Sequence, residues 1–161
     1  MSIELLDVIL PETVDLNIAD INDKDTLFAY LTSMLGKTGR ITSEQEFMKS
    51  LYEREDMGST YMGNEIAIPH GKSSSVSSAT VVFARSIDGF TYVSGGEEGL
   101  VKIIFMLAIP GDTEASEYLK VLASLARLLM YESFTEALLK AQNYQDVITA
   151  ISEAEQEHFE K

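Results

Sequence analysis

Ile66-Ala67-Ile68-Pro69-His70-Gly71 joins an apolar, strand-like segment to a single histidine and a glycine. Pro69 fixes its own φ and biases Ile68 toward an extended backbone, so His70 is expected at the exposed end of a stiff element. Gly71 carries no side chain, and its N–H can therefore approach a ligand closely. Because imidazole is partly unprotonated near neutral pH, His70 is the candidate nucleophile of the chain.

The residues after the histidine suit an anion. Successive N–H groups from Gly71 to Ser74 could form an anion-binding nest, Lys72 adds a positive charge, and Ser73 and Ser74 add hydroxyl donors. Together they suit a phosphoryl group accepted on His70, with its oxygens cradled by this segment. The plain alternative is a structural histidine followed by an ordinary serine-rich loop.

Two other ligand classes are not favoured. Gly71-Lys72-Ser73 looks like the end of a nucleotide-binding P-loop, but Ile66 stands where that motif requires glycine, so ATP or GTP is not expected. The formal net charge of -14 repels polyanions, which argues against nucleic acid and anionic lipid as partners.

Composition indicates a globular protein of the cytoplasm. The 161 residues are 45% hydrophobic and 24% charged, which suits a single domain over residues 1–161. The chain has no cysteine, which excludes disulfides and thiolate metal sites and fits a reducing compartment. Its start shows no signal-peptide pattern, and the longest apolar run, Ile103 to Pro110, is too short to span a bilayer, so no direct membrane insertion is expected.

Helices and strands alternate along the chain, which predicts an α/β fold with a sheet covered by helices. Two helices are expected early, one capped by Asn22 or Asp23 and one starting at Thr42 or Ser43 and ending near residues 54–56. Residues 79–85 and 101–109 read as buried strands. Asp88-Gly89 and Pro110-Gly111 should bound them, and residues 95–99 should form a flexible acidic turn.

The second half predicts three more helices. The strongest covers about residues 114–130, and shorter ones should start at Ser133 and at Asn143. Residues 153–161 are acidic and are expected to fray. Seven residues form the apolar stripe of the strongest helix: Ala115, Tyr118, Leu119, Leu122, Leu125, Ala126 and Leu129.

A longer motif resembles a known family. Arg54-Glu55 followed by Met62-Gly63-Asn64-Glu65-Ile66-Ala67-Ile68-Pro69-His70-Gly71 is similar to the active-site signature of enzyme IIA domains of the bacterial sugar phosphotransferase system, fructose–mannitol type. Further segments resemble the fructose branch: Gly71-Lys72-Ser73, Val81-Val82-Phe83-Ala84-Arg85-Ser86, Ile103-Ile104-Phe105-Met106-Leu107-Ala108-Ile109-Pro110 and Tyr118-Leu119-Lys120-Val121-Leu122-Ala123.

The resemblance implies a phosphocarrier with a mixed sheet flanked by helices. His70 would take a phosphoryl group from the carrier protein HPr and pass it to a cysteine of an enzyme IIB domain, during uptake of a fructose-like sugar through a membrane enzyme IIC. Arg54 matches an arginine that the family places at the phosphorylated histidine, where its planar fork suits phosphoryl oxygens. The alternative is that Arg54 pairs with Glu53 or Glu55 on a solvated face. No metal or organic cofactor is implied.

Tyr118 departs from the family pattern, because many relatives have a second histidine where it aligns. A tyrosine can donate a hydrogen bond to phosphate or to His70, but it is not a cation at neutral pH. Alternatively, Tyr118 belongs only to the apolar stripe of its helix.

Two competing functions remain open from the sequence. One is a regulatory enzyme IIA-like module whose His70 phosphorylation state controls binding to a partner protein. The other is a metal-dependent hydrolase, for which His70 lacks a second histidine at ligand spacing, since His158 lies in the expected tail.

Overall fold

A computed structural model describes residues 3–159 of the chain. The helices are α1 (Leu5–Val8), α2 (Lys24–Thr38), α3 (Glu44–Glu55), α4 (Ala115–Leu128), α5 (Glu132–Lys140) and α6 (Tyr144–His158). The strands are β1 (Ile9–Asp15), β2 (Tyr61–Gly63), β3 (Ile66–Ala67), β4 (His70–Ser73), β5 (Thr80–Ser94) and β6 (Glu97–Pro110). No helix of the described residues has the length and apolar character needed to cross a membrane.

The six strands form one mixed sheet, which confirms the α/β prediction. Its order is β1-β5-β6-β3-β2, with β4 also paired to β6. β5 and β6 are antiparallel, whereas β1 runs parallel to β5, and β3 and β4 run parallel to β6. This pairing makes β6 the central strand, and its alternating side chains serve both faces of the sheet.

Helices cover both faces of the sheet and create two cores. On one face Ile103, Phe105 and Leu107 pack with side chains of α4, α5 and α6. On the other, Ile104 and Met106 pack with side chains of α2 and α3. The near-continuous apolar sequence of β6 follows from burial on both faces.

Local capping explains where three of the helices begin. Asp23, Ser43 and Asn143 each accept a hydrogen bond from the N–H three residues on, at the starts of α2, α3 and α6. These starts confirm the predictions. The start predicted at Ser133 is wrong by one residue: α5 begins at Glu132, and its N-cap residue, Tyr131, makes no side-chain cap.

The long hairpin corrects two predicted strand ends. β5 does not stop at Asp88-Gly89 but continues to Ser94, with its register shifting between Arg85 and Phe90. Only Gly95 and Gly96 form the turn, both at positive φ, and Glu97 already belongs to β6. A glycine inside a strand accommodated an irregularity here instead of ending the strand.

The predicted fraying of residues 153–161 is also wrong over most of that range. α6 continues to His158, Ala154 is buried, and the His158 ring stacks on Tyr131 with centroids 3.4 Å apart. Buried Val147, Ala150, Ile151 and Ala154 form an apolar stripe, so the acidic residues occupy the outer face of a packed helix. Residues 160 and 161 lie outside the described part.

Candidate active site

Strand β4 sets the direction of His70. The register with β6 is the same before and after Pro69, so β3 and β4 follow one line interrupted at Ile68 and Pro69. Side chains alternate along a strand, and His70 and Lys72 therefore share one face of β4. The expectation of an exposed imidazole is wrong: His70 is only 4% exposed.

Both nitrogens of the His70 ring have hydrogen-bond partners. Nδ1 lies 2.9 Å from the carbonyl oxygen of Ile68, and Nε2 lies 3.0 Å from Nε of Arg54. A carbonyl oxygen only accepts and the Arg54 N–H only donates, so the proton belongs on Nδ1 and the lone pair on Nε2. The arrangement selects one neutral tautomer, in which Nε2 is the ring atom with a lone pair available for attack.

Arg54 reaches this nitrogen from the last turn of α3. Its Nη1 donates to the carbonyl oxygen of Gly58 at 3.0 Å while its Nε donates to His70. The pairing with Glu53 or Glu55 that the sequence left open is not observed, because Glu55 pairs with Lys24 instead. Within residues 3–159 Arg54 forms no ion pair, so its charge is available to an anion.

Burial and charge keep the His70 imidazole neutral. Burial lowers the pKa of His70 below its usual 6.5, and the nearby charge of Arg54 lowers it further. The hydrogen bond to Ile68 and the charge of Glu55 act in the opposite direction without reversing the shift. At neutral pH the imidazole is therefore unprotonated at Nε2.

The lowered pKa predicts how phosphorylation depends on pH. With the neutral ring as the expected nucleophile, the rate should fall to half its maximum at a pH below 6.5, the usual pKa of imidazole. An NMR titration of His70 in the isolated protein measures the same midpoint without a phosphoryl donor, and a midpoint at or above 6.5 would contradict the prediction. Of the charged groups near the ring, Arg54 disfavours its protonation and Glu55 favours it.

A groove of about 610 Å³ opens over His70. Arg54, Lys72 and Tyr118 lie in it beside the imidazole. The Tyr118 ring meets the His70 ring edge-on, with centroids 5.7 Å apart, and Lys72 Nζ lies 5.9 Å from the Tyr118 centroid. Burial raises the pKa of the Tyr118 hydroxyl, which keeps it a proton donor at neutral pH.

One wall of the groove is apolar, a feature that was not predicted from the sequence. Met57 and Leu119 are 81% and 62% exposed, and Leu122, Ala123 and Ala126 continue the wall along α4. The predicted stripe of α4 is thus divided, because Leu125 and Leu129 enter the core whereas Leu119 lines the groove. The sequence signal that could have revealed this wall is an apolar stripe on α4 that is wider than one buried helix face.

Three predicted phosphate-binding residues do not face the groove. A Cβ on Gly71 would lie 2.2 Å from the Ser50 hydroxyl, so this glycine permits close packing of β4 on α3. Ser73 bonds to Ser75, and Ser74 lies in the turn after β4. The backbone of Gly71 and Ser73 is paired with β6 as a strand and does not form the expected nest. Of the predicted cradle, only Lys72 lies beside His70.

No group of three or more histidine, aspartate or glutamate side chains is placed to hold a metal ion within residues 3–159. The geometry therefore supplies no ligand set, in this part of the chain, for the hydrolase alternative.

Comparisons with known proteins found a matching family and several relatives. The family described as phosphoenolpyruvate-dependent sugar phosphotransferase system, EIIA 2, matches residues 7–154. A fructose-specific EIIA component of Haloferax volcanii is 32% identical over 130 residues, which cover 81% of this chain and 83% of that protein. A fructose-specific EIIABC component of Bacillus subtilis is 30% identical over 151 residues, covering 93% of this chain but 23% of that protein.

The same fold occurs in solved structures. The nitrogen regulatory protein IIA-Ntr of Neisseria meningitidis superposes with a TM-score of 0.80 at 26% identity, over 91% of this chain and 97% of that protein.

Proposed function

The chain belongs to the EIIA 2 family of the phosphoenolpyruvate-dependent sugar phosphotransferase system, and we propose that His70 is the residue on which it carries the phosphoryl group. The chain is thus a phosphotransferase component. The observation that carries the assignment of His70 is its held tautomer, with Nδ1–H on the Ile68 carbonyl and Nε2 turned to Arg54.

In the proposed transfer, Nε2 of His70 attacks the phosphorus atom carried by HPr. The bond from phosphorus to the donor atom of HPr breaks as the P–Nε2 bond forms, and the proton on Nδ1 stays in place. Because Arg54 occupies Nε2 beforehand, its N–H groups must move from the ring nitrogen to the phosphoryl oxygens. The charge of Lys72 and the hydroxyl of Tyr118 then supply further contacts to those oxygens.

The downstream acceptor is a cysteine of an enzyme IIB domain, and the sugar is fructose-like. The fructose-specific names of two relatives and the fusion of A, B and C parts in the Bacillus protein support this placement. The apolar groove around His70 suits transient contact with both carriers. We place this exchange in the cytoplasm, in keeping with the absence of cysteine.

A regulatory role is the second candidate, and the likeness to a nitrogen regulatory protein favours it. In that role the phosphorylation state of His70 would control binding to a partner protein. The charge and shape of the groove change when a phosphoryl group enters it, which gives such control a physical basis.

The test is a stepwise transfer followed by intact mass. Incubation with phosphoenolpyruvate, enzyme I and HPr should add the mass of one phosphoryl group in an acid-labile form. Adding membranes that contain fructose-specific enzymes IIB and IIC, with fructose, should then remove it. Phosphorylation without sugar-dependent loss would favour the regulatory role, and no phosphorylation would contradict both.

A further inference from the structure

We propose that Glu55 and Thr60 are positioning residues that hold both hydrogen-bonding partners of the His70 ring in place. The inference rests on the proposed role of His70 and concerns residues that lie behind the groove. Neither side chain lines it.

Glu55 is a buried carboxylate with its hydrogen bonds made within the protein. It is the last residue of α3 and only 7% exposed. Its Oε1 accepts from Lys24 Nζ at 2.9 Å and from the Ser94 hydroxyl at 2.7 Å, and its Oε2 accepts from the Thr60 hydroxyl at 2.5 Å. A buried charge is costly unless it is paired in this way, so the network fixes the end of α3 against α2 and β5.

This attachment bears directly on Arg54, the preceding residue in the same helical turn. The carbonyl oxygen of Glu55 accepts from the N–H of Gly58, and the carbonyl oxygen of Gly58 accepts from Arg54 Nη1. Fixing Glu55 therefore fixes both the root of the Arg54 side chain and the loop that holds its guanidinium. That guanidinium is the partner of His70 Nε2.

Thr60 connects the same network to the other ring nitrogen. Its hydroxyl donates to Glu55 and lies 2.7 Å from the Tyr92 hydroxyl, and its N–H donates to Ser94. Its carbonyl oxygen accepts from the N–H of Ile68 at 3.0 Å. The carbonyl oxygen of Ile68 in turn accepts from His70 Nδ1.

Two routes thus run from one buried carboxylate to the two nitrogens of one imidazole. The route through Arg54 aims a donor at Nε2, and the route through Thr60 and Ile68 keeps the proton on Nδ1. Groups that hold a reacting side chain in this way affect the reaction rate, because a small displacement of the reacting atom slows the reaction. We therefore expect loss of the network to change the ring tautomer and not only the stability of the fold.

The test compares Thr60→Val with Thr60→Ser. Valine matches threonine in shape and lacks the hydroxyl, whereas serine keeps the hydroxyl. The first readout is the ¹⁵N spectrum of the His70 ring in the isolated full chain, which reports the tautomer without a phosphoryl donor. The second is the initial rate of phosphorylation by HPr charged with phosphoenolpyruvate and enzyme I.

We expect wild type and Thr60→Ser to show the single tautomer protonated on Nδ1, and Thr60→Val to show both tautomers. The phosphorylation rate of Thr60→Val should fall by roughly 10- to 100-fold. Thr13→Val is the matched control, because Thr13 is equally buried and donates to the Val81 carbonyl on β5 instead. It should leave the tautomer unchanged.

A Thr60→Val protein with the wild-type tautomer would overturn the proposal, as would the same disturbance in Thr13→Val. If Thr60→Val does not fold, Ser94→Ala removes hydrogen bonds to both Glu55 and Thr60 while keeping every charge, and the same comparison applies. The two proposals fail separately: absence of phosphorylation in wild type would reject the role of His70 but leave the tautomer result to decide this one.

Discussion

Replacing His70 with alanine will abolish phosphoryl acceptance. The change removes Nε2, the one ring atom with an available lone pair in the tautomer that the hydrogen bonds of His70 select. Loss of a nucleophile lowers turnover by at least about 10³-fold, which in this assay means no detectable gain in intact mass. The measurement is the mass after incubation with phosphoenolpyruvate, enzyme I and HPr.

The chain offers a matched control, since it contains only two histidines. His158→Gln removes the other imidazole, which stacks on Tyr131 at the end of α6, and should leave acceptance at the wild-type rate. Because His70 is buried, His70→Gln should be run beside His70→Ala to separate loss of the nucleophile from loss of packing. An acid-labile phosphoryl group on the His70→Ala or the His70→Gln protein would contradict the assignment of His70 as the phosphorylated residue.

The parts of the fold that follow from local sequence were predictable. Caps at Asp23, Ser43 and Asn143 depend on residues three positions apart, and their helices begin as predicted. Ends that depend on tertiary packing were not. Asp88-Gly89 is a sequence typical of a strand end, yet Phe90 pairs with Val101 and β5 continues to Ser94.

The same distinction between local sequence and tertiary packing applies to the candidate site. The motif around His70 predicted the residue that we propose as the nucleophile, and Arg54 and Lys72 do lie beside it. The predicted anion-binding nest is not formed, because residues 70–73 pair with β6 as a strand and Gly71 and Ser73 face away from His70. The prediction had treated this segment as a loop. The partners of Glu55 lie up to 39 residues away in the chain, and no local pattern connects them.

The second large effect is expected at Arg54. Arg54→Ala removes the cation that bonds to Nε2 and the proposed donors for the phosphoryl oxygens, and should lower the initial rate of phosphorylation by about 10²- to 10³-fold. Arg54→Lys keeps the charge but replaces the planar fork with a point charge, which cannot hold Gly58 and the reacting group together. It should therefore remain at least about tenfold slower than wild type.

Arg40→Lys provides the control for changing an arginine fork as such. Arg40 also bonds through Nε and a terminal nitrogen, to the Thr80 hydroxyl and the Ala79 carbonyl, but it does not line the groove. Its replacement should leave the rate of phosphorylation unchanged.

Two outcomes would contradict the role given to the Arg54 fork. If Arg54→Lys were phosphorylated at the wild-type rate, a positive charge alone would suffice and the planar fork would have no role. If Arg54→Ala were also phosphorylated at the wild-type rate, the phosphoryl group would be stabilised by Lys72, the other cationic side chain that lines the groove.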